Sequence, residues 1–184
     1  RAFNSLQIAV KAKYYTECKT DADIQEAFQF VKKNRIKFQI LGEGTNIVFT
    51  KSFDGLIIKN SFKKDKKIYK NKVKISSGYN WDRFVIFCIK NSLYGLENLS
   101  GIPGTVGAGP IQNIGAYGEE ISNYIEHIEV FNFKTGNIEI LNNMNCNFDY
   151  RNSLFKKNKH LFIKNVFFKL KNKFIANNSY QDLQ

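Results

Sequence analysis

Hydrophobic positions change their period several times along this chain, and the changes mark out its elements. Over residues 23–34 the apolar side chains Ile24, Ala27, Phe28 and Val31 recur at spacings of three and four, as on the buried face of a helix. Asp21 stands where a capping side chain belongs. A second helix is predicted over residues 81–90, capped by Asn80 and burying Phe84, Val85, Cys88 and Ile89. Between the helices, FQIL at 38–41 reads as a buried strand, followed by GEGTN and a second apolar run at 47–49. Residues 55–59 and 72–76 predict further short strands. Residues 127–133 and 137–141 read as a hairpin around Thr135 and Gly136, and 161–170 as a last strand. The mixture predicts an α+β fold of short antiparallel pairs rather than a βαβ alternation. A boundary near residue 60 would give two subdomains, 1–60 and 61–184.

The composition narrows the setting. At 184 residues, with 43% hydrophobic content, the chain suffices for one ordinary domain or two small ones. It has no apolar run of about 18 residues, so no membrane span is expected. The start, RAFNSLQIAVKAKYY, lacks a secretory signal's apolar core and cleavage site. Cys18, Cys88 and Cys146 have no CxxC spacing, and His127 and His160 are far apart. Reduced thiols in a cytoplasmic protein, with no zinc site, are the expectation. The net charge of +12 raises nucleic-acid binding. Against it, only four of the 28 basic residues are Arg, the lysines are scattered, and Ile, Asn and Phe abound, as in a chain from an A/T-biased genome. The small cluster of Lys63, Lys64, Lys66 and Lys67 reads as a solvated loop. No nucleic-acid partner is expected, and a monomer is.

Two glycine-bearing loops carry the candidate chemistry. Gly42, Glu43, Gly44, Thr45 and Asn46 lie between two apolar runs. The third glycine and the following helix of a dinucleotide fingerprint are missing. The segment is therefore either a tight turn or a nest of amides for phosphate, with the Thr45 hydroxyl and Asn46 amide beside it. The second loop, residues 101–118, holds six of the 12 glycines and both prolines. Its glycines let backbone approach a ligand, while Ile102, Val106, Ile111 and Ile114 would form apolar walls and Gln112 and Asn113 directed polar groups. A self-packed structural loop is the other reading.

The run GLENLSGIPGTVGAGPIQNIGAYG at 95–118, with GEGTN upstream and FDYRNSLFK at 148–156 downstream, resembles the UDP-N-acetylenolpyruvoylglucosamine reductase family. Asn4, Ser5 and Leu6 resemble the start of that family's first strand. The resemblance implies an FAD-binding fold of the vanillyl-alcohol-oxidase (PCMH) type, made of two α+β subdomains with non-covalent FAD between them. Gly42, Glu43, Gly44, Thr45 and Asn46 would hold the diphosphate. Ile102, Gly104, Thr105, Gly107, Ala108, Ile111, Gln112, Asn113, Gly115, Ala116, Tyr117 and, on the last strand, Ile163 would line the rest of the cofactor. NADPH would be the hydride donor and UDP-N-acetylenolpyruvoylglucosamine the substrate, in peptidoglycan synthesis. Arg151 would be catalytic, holding the enolpyruvyl carboxylate, with Tyr150 and Tyr180 contacting substrate. The family's substrate-binding domain, with a serine proton donor and a glutamate, matches no motif in these residues, so little activity of the chain alone is expected. The alternative is a non-catalytic basic binding module on a flavin scaffold.

Overall fold

The computed structural model describes residues 5–175, and Ser5 and Leu6 lie in a turn. Ser5 and Leu6 are thus not in a strand, as the resemblance implied, Asn4 lies outside the described residues, and the first described strand is β1 (Ala12–Cys18). Helix α1 (Asp21–Asn34) follows, then β2 (Phe38–Leu41) and β3 (Phe53–Asn60). Thr20, not Asp21, caps α1. Its hydroxyl accepts the Asp23 amide at 3.2 Å while the Asp23 carboxylate accepts the Thr20 amide at 2.8 Å. Asp21 instead pairs with Lys64 and Lys164.

The first sheet has the order β1-β3-β2, and both β1 and β2 run parallel to β3. This corrects the expectation of antiparallel pairs throughout. Parallel neighbours need a crossover, because the chain must return to the starting edge before pairing again. Helix α1 makes the return from β1, and residues 42–52 make it between β2 and β3 without a helix. The apolar run at 47–49 is part of that crossover rather than a strand, and Val48 is exposed. Ile24, Ala27, Phe28 and Val31 of α1 pack on Leu56 and Ile58, with Phe131, Phe133 and Phe162 of the second sheet closing the same core.

Beyond β3 come β4 (Lys66–Tyr69), β5 (Lys72–Ser76) and helix α2 (Trp81–Lys90). Lys66 and Lys67 thus lie on a strand, not in a solvated loop, and Lys67 pairs with Asp65. Asn80 caps α2 by accepting the Arg83 amide at 3.1 Å. Trp81, Phe84, Val85 and Cys88 are the buried face of α2. Ile89, expected inside, is exposed. The short pair β6 (Gly115–Ala116) and β7 (Glu119–Glu120) leads to the hairpin β8 (Ile125–Asn132) and β9 (Ile138–Asn142). Helix α3 (Leu154–Lys157) and the long strand β10 (Leu161–Lys169) complete the described residues.

These strands form an antiparallel sheet of order β4-β5-β10-β8-β9. Its core holds Val73, Ile75, Val130, Val166 and Phe168 against Trp81, Phe84 and Val85. The buried ammonium of Lys164, on β10, lies 2.7 Å from Asp21 and 3.4 Å from Glu129, and so ties α1 to the second sheet. No helix among the described residues is long and apolar enough to cross a membrane.

Candidate functional site

A cleft of about 530 Å³ runs between the two glycine loops, and its lining draws on both sheets. On one side lie Gln39, Ile40 and Leu41 at the end of β2, with Gly42, Glu43, Gly44, Thr45, Asn46 and Ile47 beyond it. Opposite are Ile102, Pro103, Thr105, Gly107, Ala108, Gly109, Ile111 and Gln112. Asn60, Trp81, Ile114, Phe155, Leu161 and Ile163 line the remainder, with Lys156 and Lys159 supplying its positive charge.

Parallel pairing decides the first loop's character. A tight turn joins antiparallel neighbours, whereas residues 42–46 open a crossover between parallel strands. The tight-turn reading therefore fails. The loop's carbonyls are bound from outside the cleft lining. Gly42 accepts the Lys59 ammonium at 2.6 Å, and Gly44 accepts the Ser5 amide at 3.1 Å and the Ser5 hydroxyl at 3.4 Å. The Ser5 hydroxyl also reaches the Thr45 carbonyl at 3.4 Å, and the Thr45 hydroxyl donates to Pro103 of the second loop at 3.5 Å. Burial pulls the Lys59 pKa below that of an ordinary lysine, although Glu43 and Glu17 pull it back up.

The second loop both packs on itself and faces the cleft. Its start is fixed to α2, since the Asp82 carboxylate accepts the Ser100 hydroxyl at 2.6 Å and the Gly101 amide at 2.8 Å. Those two donors hold the Asp82 carboxyl below the usual range. Gly104 accepts the Trp81 amide at 3.0 Å, and Val106 and Gly107 donate to Tyr79 and Ser77 at 2.9 Å each. A 3-10 turn over Val106–Gln112 then carries Ala108, Ile111 and Gln112 along the wall.

Not every residue singled out from the sequence lies in this lining. Gly104 stands just behind it, against Thr45. Asn113 is buried and structural: its amide donates to Glu120 at 2.7 Å and Asp149 at 3.3 Å, and its oxygen accepts the Ser122 amide at 3.1 Å. Gly115, Ala116 and Tyr117 lie past the end of the lining, with Tyr117 in the left-handed region. Tyr150 and Arg151 form the tip of a tight turn closed by reciprocal bonds between Asp149 and Asn152 at 3.0 and 3.1 Å. Arg151 has φ of 49°, and its guanidinium reaches back to the Gly115 carbonyl at 2.8 Å. Lys156 donates to the Arg151 carbonyl at 3.0 Å, while Ser153 donates to Ile111 at 2.6 Å and caps α3. Tyr180 lies outside the described residues.

Sequence reading overlooked Gln39, Asn60, Trp81, Lys156 and Lys159 as lining residues. Lys156 alone carried a signal, as a member of the quoted 148–156 motif. Asn60 is spoken for, donating to Ile163 at 2.9 Å and accepting the Ser77 hydroxyl at 2.9 Å. No His or Cys lines the cleft. All three cysteines are free and buried, and burial pushes each thiol up to about 12. No group of three metal-ligating side chains forms among the described residues.

A family model described as an FAD binding domain matches residues 12–142. Over 160 residues the chain is 39% identical to the UDP-N-acetylenolpyruvoylglucosamine reductase of Amoebophilus asiaticus, a match covering 85% of this chain and 47% of that protein. It is 36% identical over 191 residues to the protein of the same name from Wigglesworthia glossinidia brevipalpis, covering 100% of this chain and 55% of that one. The chain thus spans about half the length of the curated relatives it matches. Its fold is similar to the crystal structure of UDP-N-acetylenolpyruvylglucosamine reductase from Thermus caldophilus. The TM-score is 0.77 at 23% identity, covering 94% of this chain and 60% of that one.

Proposed function

The chain belongs to the FAD binding domain family and has an α+β fold of the vanillyl-alcohol-oxidase type, and we propose that it binds FAD non-covalently between its two glycine loops. In this proposal it is the flavin part of a UDP-N-acetylenolpyruvoylglucosamine reductase acting in the cytoplasm in peptidoglycan synthesis. Its subdomains, 1–60 and 61–184, clasp the cofactor. The observation that supports it most is the agreement between the family match and the lining of one cleft of about 530 Å³. That size falls within the roughly 300–1,000 Å³ of small-molecule sites.

The residues suit the group. A Cβ at Gly42 would come within 3.0 Å of the Thr105 hydroxyl and narrow the gap between the loops. Ile40, Ile102, Ile111 and Ile163 offer flat apolar contact for a ring system, and the amides of 42–46 offer donors for a diphosphate. With neither His nor Cys in the lining, the cleft has no side chain of the kinds that attach flavin covalently. Bound FAD supplies the hydride chemistry, drawing on NADPH and reducing the enolpyruvyl double bond.

The chain's own residues hold the substrate. Arg151 at its exposed turn takes the enolpyruvyl carboxylate with the face of the guanidinium not committed to Gly115, beside Tyr150. Its charge strengthens the contact as electron density grows on the carboxylate. The reading as a basic polyanion-binding module rests on net charge alone and is not favoured: Lys64, Lys72, Lys74 and Lys164 are already in ion pairs.

FAD titration of the purified chain, followed by flavin fluorescence and melting temperature, tests the cofactor. No quenching and no stabilisation at saturating FAD refutes it. NADPH oxidation dependent on the enolpyruvyl substrate tests the reaction. The chain alone is expected to fall short of a fused full-length protein by at least the roughly 10²–10⁴-fold of general acid catalysis. In that fusion Arg151→Ala should lower kcat rather than only raise KM. Equal turnover by the chain alone would place the proton donor within it.

A further inference from the structure

We propose that Lys59 and Ser5 are positioning residues that hold the 42–46 loop from behind, so that the amides of Glu43, Thr45 and Asn46 converge on a diphosphate. The inference rests on the FAD reading, in which residues 42–46 hold the diphosphate, and identifies what preorganises that loop. The argument is one of peptide geometry. No described peptide bond is cis, and across a trans peptide the carbonyl and the next amide point in opposite directions from one plane.

The Gly42 carbonyl is drawn to the Lys59 ammonium at 2.6 Å, which turns the Glu43 amide the other way. The Gly44 carbonyl, held by the Ser5 amide and hydroxyl, turns the Thr45 amide likewise. The Thr45 carbonyl, reached by the same hydroxyl at 3.4 Å, does so for Asn46. All five loop residues line the cleft, whereas neither Lys59 nor Ser5 does. Among the described residues none of these three amides donates to a backbone carbonyl. Donors left open on one side, with their carbonyls bound on the other, make a concave anion site.

Lys59 adds a second effect. A carbonyl bonded to a cation is polarised, and the amide in the same plane becomes a stronger donor. The ammonium is also partly buried, with Glu43 and Glu17 the nearest acidic influences, so its field is screened less than that of a surface lysine. Its place on β3, beside the crossover's return, puts a fixed strand behind a loop that has no helix of its own.

The test measures FAD and riboflavin affinity by quenching, with melting temperature in the absence of flavin, for the wild type and for Lys59→Met, Lys59→Arg and Ser5→Ala. Riboflavin carries no phosphate. Lys59→Met should weaken FAD by about tenfold or more, as for a lost charge-assisted bond, and leave riboflavin affinity unchanged. Lys59→Arg should restore most of the loss, and Ser5→Ala should cost FAD about threefold. Unchanged FAD affinity in Lys59→Met overturns the proposal, as does an equal loss for riboflavin, which would mark a merely structural role. Should Lys59→Met fail to fold, Ser5→Ala decides alone, and its full retention of FAD affinity overturns the proposal. Failure of the wild type to bind FAD is read first and removes the flavin reading itself.

Discussion

Replacing Gly107 by alanine separates two reasons for a glycine in the second loop. A Cβ at this position would stand 2.5 Å from Ser77 Cβ, 3.2 Å from Ser77 Cα and 3.3 Å from the Ser77 carbonyl. The Gly107 amide donates to that same carbonyl at 2.9 Å, so the two backbones are already clamped together. Alanine has no rotamer with which to escape, and the two backbone segments must part. Overpacking of this kind costs about 1–3 kcal/mol. For a chain of this size each kcal/mol lowers Tm by about 2–4 °C, which gives a drop of about 2–12 °C. Gly101→Ala is the contrasting case: its φ is +76° with nothing within 4 Å, so its penalty of about 1–2 kcal/mol is conformational alone. Ser77→Gly removes the 2.5 Å contact at the expense of the Ser77 hydroxyl's bond to Asn60. In a double-mutant cycle it should therefore recover about 1 kcal/mol of the Gly107→Ala loss and none of the Gly101→Ala loss. Denaturant melts of the six proteins decide the matter. A coupling between positions 77 and 107 below about 0.5 kcal/mol would refute the steric account.

Other consequences are as direct. Asn46→Leu should weaken FAD by about 1–3 kcal/mol through a lost polar partner, while Lys64→Ala, an exposed lysine paired with Asp21, should leave it nearly unchanged. Equal losses in a quenching titration would favour a polyanion surface instead. Burial alone would raise the Asp65 pKa, but Lys74 at 2.7 Å and then Lys67 outweigh it and hold the carboxyl below its ordinary value. A depressed carboxylate adds stability above its unfolded pKa of about 3.9 and loses it as pH falls through the folded value. Acid unfolding of the wild type should thus steepen below about pH 4, and Asp65→Asn should flatten that part of the curve.

What the sequence made legible follows from local chemistry. Helix α2 is bounded by Asn80 and buries a face with one period, so its limits read directly. The β8–β9 hairpin reads through Thr135 and Gly136, whose φ of +79° only glycine adopts freely. Strand β1 stayed hidden because AKYYTEC is exposed along nearly all its length, and what makes it a strand is a parallel partner over forty positions away. The parallel pairing of β2 with β3 turned GEGTN from a turn into a crossover, whose Ile47 lines the cleft. Of the site, the two loops announced themselves by glycine. Lys59 gave no signal, since its contact to Gly42 exists only once β3 lies beside β2.

Strand β10 is the last element of the described chain and the middle strand of its larger sheet, hydrogen-bonded to β5 on one side and β8 on the other. A ribosome delivers the β4–β5 and β8–β9 ribbons well before it, each with one long edge that has nothing yet to pair with. Closure of residues 161–169 onto Lys72–Ser76 spans about ninety positions of sequence, a non-local contact of the kind that slows folding. Until it forms, Ile75 and Ile128 lack their partner Val166 and Phe131 lacks Phe162, and the wall of the cleft at Leu161 and Ile163 does not exist. A complete cleft therefore waits for β10, and the interval before it pairs is when the open ribbon edges are most exposed to aggregation.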